Sequence, residues 1–104
     1  MLDAAREAVA FAEDRTRSGL DGDRILALAL VKAIEIVGEA AATVSPQARD
    51  RYSIIPWEDI VGMRHRLVHA YFAIDMDRVW DTVIDDLPPL IEALESILGE
   101  NGND

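Results

Sequence analysis

The stretch ILALALVKAIEIVGEAAA, residues 25 to 42, decides the fold class. At 100° per residue, its charged side chains Lys32, Glu35 and Glu39 share one arc, about 80° wide, with the preceding Arg24. The other directions are almost wholly apolar, so the stretch predicts a long helix surrounded by neighbours. Three further helices of the same chain could surround it, but a subunit interface would do so more easily. We therefore expect a homodimer, most simply with two-fold symmetry.

The remaining segments also read as helices. They lack the two-residue alternation and the hairpin turns that indicate strands, and short connections join them. We predict four main helices, a short extra turn and no strand, which gives an all-α fold, an antiparallel bundle of four to five helices. The predicted boundaries are Leu2 to Arg17, Asp21–Asp23 to Thr43, a turn at Ser45-Pro46, a helix opened by Pro56 that runs through residue 72, and a last helix capped by Asp75 and kinked at Pro88-Pro89.

The length and composition indicate one small domain without disulfides. The chain has 104 residues and no cysteine, and half of its residues are hydrophobic. We assign residues 1–99 to a single helical domain and residues 100–104 to a disordered tail. The longest apolar run, residues 25–31, is far shorter than the roughly 20 residues that span a bilayer, and the N-terminus does not read as a secretory signal. We expect a soluble, cytoplasmic protein without a membrane partner.

The charge of the chain argues against broad binding to nucleic acid. The formal net charge is −10, and a surface of that sign repels a polyanion. A contact with a polyanion must then come from a local basic cluster. The compact cluster in this sequence consists of Arg64, His65, Arg66 and His69.

Arg64 lies in an unusual place within the third predicted helix. On a helical wheel it falls near the centre of an apolar stripe formed with positions 57, 60, 61, 67, 68 and 71. A guanidinium cannot lose its proton, so its burial requires a partner. In one interpretation Arg64 forms a buried ion pair with Glu35 or Glu39. In the other it projects into a cleft and holds a phosphate with two hydrogen bonds. Both interpretations hold if the carboxylate of Glu35 or Glu39 orients the arginine that binds the phosphate.

The two histidines suggest proton transfer more than metal binding. Histidine has an unperturbed pKa near 6.5, so it accepts and donates protons close to neutrality. His65 and His69, one turn apart, could also bind a metal ion, but no third ligand stands at a suitable spacing. We therefore expect no metal site and no cofactor. A histidine pair on a helix is also commonly a plain surface feature.

The segment RHRLVHAY, residues 64–71, matches the pattern R-x4-H-x-Y. With this pattern the chain resembles the HEPN superfamily of all-helical proteins, and within it the HepT-like toxins of HepT/MntA toxin–antitoxin modules. Chain length and helix order agree with that family, as do IVGEA (residues 36–40), IPW (residues 55–57) and GMRHRLVHAYF (residues 62–72). The resemblance covers nearly the whole chain.

The resemblance implies a dimeric helical bundle whose paired motifs line one cleft and cleave RNA without a metal ion. It makes Arg64 and His69 the catalytic pair. It makes Tyr71 the residue to which an MntA-like nucleotidyltransferase antitoxin adds adenylate, which silences the toxin. His65 stands where these toxins most often have asparagine, so we give it, with Arg66, a supporting or RNA-binding role.

The helical wheel sets one condition on the catalytic pair. On an ideal helix the side chains of Arg64 and His69 point about 140° apart. The pair therefore requires either a helix end near His69 or a second subunit. Tyr71 points within about 20° of Arg64 on the same wheel, so an adenylate there would place a phosphate beside that cation.

A rival hypothesis keeps the fold and removes the catalysis. The chain would then be a helical binding module that docks a nucleotidyltransferase partner or a nucleotide. The acidic charge favours this alternative, whereas the complete set of Arg64, His69 and Tyr71 favours the ribonuclease.

Overall fold

Helices build almost all of the fold in the computed structural model, which describes residues 1–70 and 73–102 apart from the side chains of residues 68–70 and 100–102. The all-α class predicted from the sequence is confirmed. The elements are α1 (Leu2–Ala12), a 3₁₀ turn (Arg17–Leu20), α2 (Arg24–Ala42), α3 (Pro46–Arg51), α4 (Trp57–Val61), α5 (Met63–Leu67), β1 (Val68–Ala70), β2 (Ala73–Ile74), α6 (Met76–Asp81), a π-type turn (Thr82–Asp86) and α7 (Leu87–Gly102).

Helix α2 lies at the centre, as the apolar stretch predicts. It packs against α1, α4, α5 and α6, and Leu30, Ile34 and Val37 are fully buried. Neighbours from the same chain thus surround most of the helix. They leave one face uncovered, where the apolar side chains of Ile25 and Leu28 remain 83% and 44% exposed.

Polar side chains cap the N-termini of three helices at the positions predicted from the sequence. The Asp23 side chain accepts the N–H of Leu26 at the start of α2, and Ser45 accepts the N–H of Ala48 at the start of α3. Asp75 begins α6 in the same way. Each side chain satisfies one of the backbone donors that a helix start leaves free, and these three predicted caps are confirmed.

Gly38 allows α2 and α4 to approach closely. A Cβ atom added at this position would lie 3.2 Å from the carbonyl oxygen of Ile60 and 3.5 Å from that of Val61. The glycine of the IVGEA segment therefore sets the distance between α2 and the end of α4. Because α5 follows α4 after a single residue, Gly62, this contact also helps to position Arg64.

The prolines in the last helical segment produce a local change in winding. A proline inside a helix lacks the N–H donor and crowds the carbonyl of the preceding turn. The backbone from Thr82 to Asp86, directly before Pro88-Pro89, adopts a wider π-type turn between α6 and α7. The kink or break predicted at these prolines is thus observed as a π-type turn just before them.

The predicted helix from Pro56 through residue 72 ends at Leu67 instead, and the expectation of no strand is wrong; residues 71 and 72 lie outside the described parts. Gly62 separates α4 from α5, which ends at Leu67. Val68–Ala70 then pairs antiparallel with Ala73–Ile74. In a continuing helix the Leu67 carbonyl would accept the N–H of residue 71, but it accepts the N–H of Asp75 at 2.7 Å. This longer-range bond closes a short hairpin where the wheel predicts another helical turn.

Helix α1 is shorter than predicted and α7 is longer. Helix α1 ends at Ala12 rather than Arg17, because Glu13 is extended and Asp14 has a positive φ of 61°. Helix α7 continues to Gly102, past residue 99, where the sequence suggests that the tail begins. Residues 103 and 104 lie outside the described parts.

The side chain of Arg17 links the 3₁₀ turn to α6 by hydrogen bonds. Its guanidinium donates to Asp21 at 3.0 Å and to Asp77 at 2.5 Å. The hydrogen bonds to the side chains of Asp21 and Asp77 raise the pKa of Arg17 above its ordinary value. Arg17 therefore keeps its charge at any physiological pH, and the link between the two elements does not depend on protonation.

Among the described helices, we find none with both the length and the apolar character needed to cross a lipid bilayer.

Candidate functional site

The short helix α5 presents Arg64 to the carboxylate of Glu35 on α2. Nε of Arg64 lies 3.3 Å from Oε2 of Glu35. The sequence offers Glu35 and Glu39 as partners for this arginine, and the structure brings Glu35 to it. Glu39 is exposed and forms no ion pair with any residue in the described ranges.

The ion pair lies at the surface and is therefore not the buried pair of the first interpretation. The side chains of Arg64 and Glu35 are 50% and 26% exposed. The buried positions of this segment are Ile60, Met63 and Leu67, so Arg64 lies at the edge of the apolar stripe. The guanidinium is therefore not enclosed by the protein, and its remaining N–H donors can meet a ligand from solvent.

Glu35 also lies near a second cation. Nζ of Lys32, one turn earlier on α2, is 3.9 Å from Oε1 of Glu35. The carboxylate thus has a cation at each of its two oxygens. The helical wheel puts Lys32 and Glu35 in one arc, but the sequence does not show that Lys32 and Arg64 contact the same carboxylate.

The histidines follow Arg64 along the chain in two different conformations. His65 is exposed on α5, and its N–H donates to the carbonyl of Gly62. The backbone of His69 belongs to β1, beyond the end of α5. A helix end near His69 is one of the two conditions that the sequence sets for a joint role with Arg64, and it is present. The side chain of His69 and the whole of Tyr71 lie outside the described parts.

Arg66 lies on a different part of the surface from Glu35. Its Nη2 donates to the carbonyl of Asp59 at 2.6 Å. It lines a cavity of about 440 Å³ between α4, α5 and α7, whose rim carries Asp59, Asp85 and Asp86. Three carboxylates beside one guanidinium make this cavity unfavourable for a polyanion. The structure therefore does not bring Arg66 together with Arg64 at one anion site.

In the described ranges, no three side chains of histidine, aspartate or glutamate form a group that could hold a metal ion. The side chain of His69 lies outside these ranges. Arg64 itself offers only N–H donors, which suit an anion and not a cation. The described part of the site is therefore suited to a phosphate or another oxyanion.

Comparison with known proteins gives a family for the whole arrangement. The chain matches the family described as "Ribonuclease HepT-like" over residues 1–97, a range that includes every element from α1 to the main part of α7. No solved structure shows a significant match.

Similar proteins occur in bacteria and archaea. One named "Putative RNase" from Caldanaerobacter subterraneus subsp. tengcongensis is 36% identical over 76 residues, or 73% of this chain and 68% of the relative. "Probable ribonuclease HepT" from Thermococcus cleftensis is 32% identical, over 92% of this chain and 91% of the relative. Another "Putative RNase", from Methanocaldococcus jannaschii, is 29% identical over 93% of this chain and 89% of the relative. With its whole helical domain matched, this chain belongs to the ribonuclease HepT-like family.

Proposed function

We propose that this chain is an endoribonuclease that cleaves RNA without a metal ion, with Arg64 and His69 as its catalytic residues. The observation that carries the proposal is the half-exposed guanidinium of Arg64, held by Glu35 directly before the segment that contains His69. Membership in the ribonuclease HepT-like family supports RNA as the substrate. The relatives described above are named as ribonucleases, which supports the same substrate.

The reaction needs no nucleophile from the protein. The 2′-OH of RNA attacks the adjacent phosphorus, loses its proton to a base, and the bond to the 5′ oxygen breaks as that oxygen receives a proton. The products are a 2′,3′-cyclic phosphate and a free 5′-OH. His69 would serve as base or acid near neutral pH. Arg64 would stabilise the negative charge that develops on the phosphorane oxygens.

The end of α5 at Leu67 supports a joint role for the two residues. On a continuous helix their side chains would point about 140° apart. The backbone is extended from Val68 to Ala70, so the helical spacing no longer fixes the direction of the His69 side chain relative to Arg64.

A second copy of the chain would complete the site. One histidine does not easily supply both proton transfers in a single step, whereas a dimer offers His69 twice, and His65 is a further candidate. The uncovered apolar face of α2, formed by Ile25, Leu28 and Ile36, supports a homodimer in which this face meets its two-fold mate. The cleft between the copies would then run past Arg64.

The chain would act as the toxin of a toxin–antitoxin module in the cytoplasm. Its partner would be an MntA-like nucleotidyltransferase antitoxin that transfers adenylate to Tyr71. The phosphate of that adenylate would neutralise Arg64 and occupy the place of the substrate phosphate. Membership in the ribonuclease HepT-like family supports this switch.

Cleavage of RNA in the presence of a chelator tests the proposal. Purified chain, free of its partner, is incubated with total RNA and EDTA beside the His69→Ala and Arg64→Ala variants. We expect the unaltered chain to cut and both variants to lose most activity. If no sample cuts while Tyr71 carries no modification, the chain is instead a helical module that docks a nucleotidyltransferase or a nucleotide, an alternative that the net charge of −10 favours.

Mass spectrometry tests the switch separately. The sequence has two tyrosines, Tyr52 and Tyr71, which makes Tyr52→Phe a matched control. After co-expression with the partner, adenylate should be found on the unaltered chain and on Tyr52→Phe, and be absent from Tyr71→Phe. Modification that persists in Tyr71→Phe would assign the acceptor elsewhere.

A further inference from the structure

Glu35 connects two cations from two different helices. Its Oε1 lies 3.9 Å from Nζ of Lys32 on α2, and its Oε2 lies 3.3 Å from Nε of Arg64 on α5. Two positive charges and one negative charge leave this group with a net charge of +1, on a chain whose total is −10. The group is therefore a local site at which an anion is less strongly repelled.

Folding gives little reason for a cation at position 32. The Lys32 side chain is 65% exposed, and exposed ion pairs add little to stability. A lysine that precedes its glutamate on a helix also has the less favourable order with respect to the helix dipole. Yet this is the single lysine of the chain, placed in the middle of its most apolar helix.

We propose that Lys32 binds a phosphate of the RNA backbone next to the phosphate that Arg64 holds. This inference rests on the proposed ribonuclease function, and it adds a binding residue that takes no part in the proton transfers. A carboxylate that both cations contact holds them close together, and both side chains are at least half exposed. The planar guanidinium suits a bidentate contact at the scissile phosphate, whereas the compact ammonium suits a neighbouring phosphate without a fixed geometry.

The position of Lys32 also suits a cleft between two copies. Leu28 and Ile36, one turn away on either side, are 44% and 40% exposed and belong to the face proposed to meet the second copy. The aliphatic part of a lysine packs on such a surface while its ammonium extends to the rim. Lys32 would therefore line the cleft through which the RNA strand passes.

Binding measurements with matched variants test the role of Lys32. All proteins are full-length and carry His69→Ala, so that a labelled single-stranded RNA stays intact. Lys32→Gln removes the charge, and Lys32→Arg keeps it. Arg6→Gln is the control, because Arg6 on α1 is 52% exposed, lies 3.3 Å from Glu95 and loses the same charge outside the site.

We expect Lys32→Gln to weaken RNA binding roughly 3- to 10-fold at low salt, and to reduce the slope of log K against log salt by about 0.7, the value for one phosphate contact on a single strand. Lys32→Arg should retain most of the affinity, and Arg6→Gln should change it less than about twofold. In the cleaving protein, the effect of Lys32→Gln should fall on KM more than on kcat.

Chemical labelling gives a second readout. The ε-amine of Lys32 is the sole lysine target of an acetylating reagent in this sequence. Bound RNA should protect Lys32, as measured by peptide mass spectrometry against the same protein without RNA.

Two results would overturn the assignment of Lys32 alone. Equal weakening by Lys32→Gln and Arg6→Gln would show an effect of overall charge. An unchanged salt slope together with loss of the dimer in Lys32→Gln would place Lys32 in the subunit interface. If instead the unaltered chain neither binds nor cuts RNA, the proposed function fails before Lys32 is at issue.

Discussion

Arg64 and Glu35 form an ion pair at the junction of α5 and α2, with 3.3 Å between Nε and Oε2. Both side chains reach solvent, and exposed pairs contribute only about 0–1 kcal/mol to stability. The effect of the pair is therefore chiefly one of position. Glu35 contacts the guanidinium at Nε, which leaves the N–H groups of the two Nη atoms for a phosphate.

Two substitutions of Glu35 should separate its charge from its effect on position. In Glu35→Gln an amide oxygen still accepts from Arg64, but the competing negative charge is gone, so RNA should bind several-fold more tightly. In Glu35→Ala the guanidinium loses its support, and kcat should fall by roughly tenfold or more, because small displacements of a catalytic group are costly. Steady-state cleavage assays and RNA titrations measure the two effects.

Thermal unfolding provides the control for both variants. Because the pair is partly exposed, the two substitutions should change the unfolding temperature little. A large loss of stability in Glu35→Gln, without any gain in RNA affinity, would show that the pair serves the fold and not the site.

Local chemistry explains which parts of the fold could be predicted from sequence. The caps at Asp23, Ser45 and Asp75 depend on residues within three positions, and all three are present. The central place of α2 follows from its continuous apolar character. A Glu35 contact with Arg64 is one of two pairings that the helical wheels allow.

The parts that sequence could not predict depend on contacts between distant residues. The apolar stripe continues through Val68 and position 71, so periodicity alone extends the third helix. The helix ends at Leu67 because the carbonyl of that residue accepts the N–H of Asp75 and the following strands pair with each other. For the same reason, the sequence could not predict that Lys32 and Arg64 contact one carboxylate, since these two residues are 32 positions apart.

Asp75 should stabilise both α6 and the hairpin before it. Its Oδ1 accepts the N–H of Arg78 at 3.0 Å, and loss of such a cap costs roughly 0.5–2 kcal/mol. We expect Asp75→Ala to lower the urea midpoint and to reduce cleavage further than the lost stability explains, because β2 and the Leu67 bond lie directly before this cap. Asp75→Asn should restore both properties, since asparagine is an equally good cap.

Ser45→Ala is the matched control for that prediction. It removes a cap of the same kind from α3, where Ser45 accepts the N–H of Ala48 at 3.2 Å. The expected result is a comparable loss of stability with unchanged cleavage. Equal losses of activity in the two variants would indicate that cleavage follows global stability alone.

Gly38 should not tolerate a side chain, although alanine is a better helix former. In α7, Gly99 has open space around its Cβ position, so Gly99→Ala should stabilise the chain by up to about 1 kcal/mol. Gly38→Ala should lose that gain to the contact with the Ile60 carbonyl, and Gly38→Val should destabilise by roughly 1–3 kcal/mol through overpacking. Equal stabilisation by the two alanine substitutions in urea unfolding would contradict a tight α2–α4 contact.

The uncovered face of α2 gives the last prediction, which concerns association. Ile36 on α2 and Ile84 in the π-type turn are similarly exposed, at 40% and 47%. Ile36→Glu should convert the proposed dimer to a monomer of 11.5 kDa in light scattering, because a carboxylate would lose its water among the apolar side chains where two copies meet. Ile84→Glu adds the same charge away from that face and should leave the proposed dimer intact.

Activity should follow association if the cleft contains residues of both copies. The Ile36→Glu monomer should unfold at a similar temperature to a dilute sample of the unaltered chain, since the substituted side chain is already exposed within one copy. Its RNA cleavage should nevertheless fall to near zero. A monomer that cleaves RNA at the full rate would show that a single copy holds the complete site, and that the extended backbone after Leu67 alone brings His69 to Arg64.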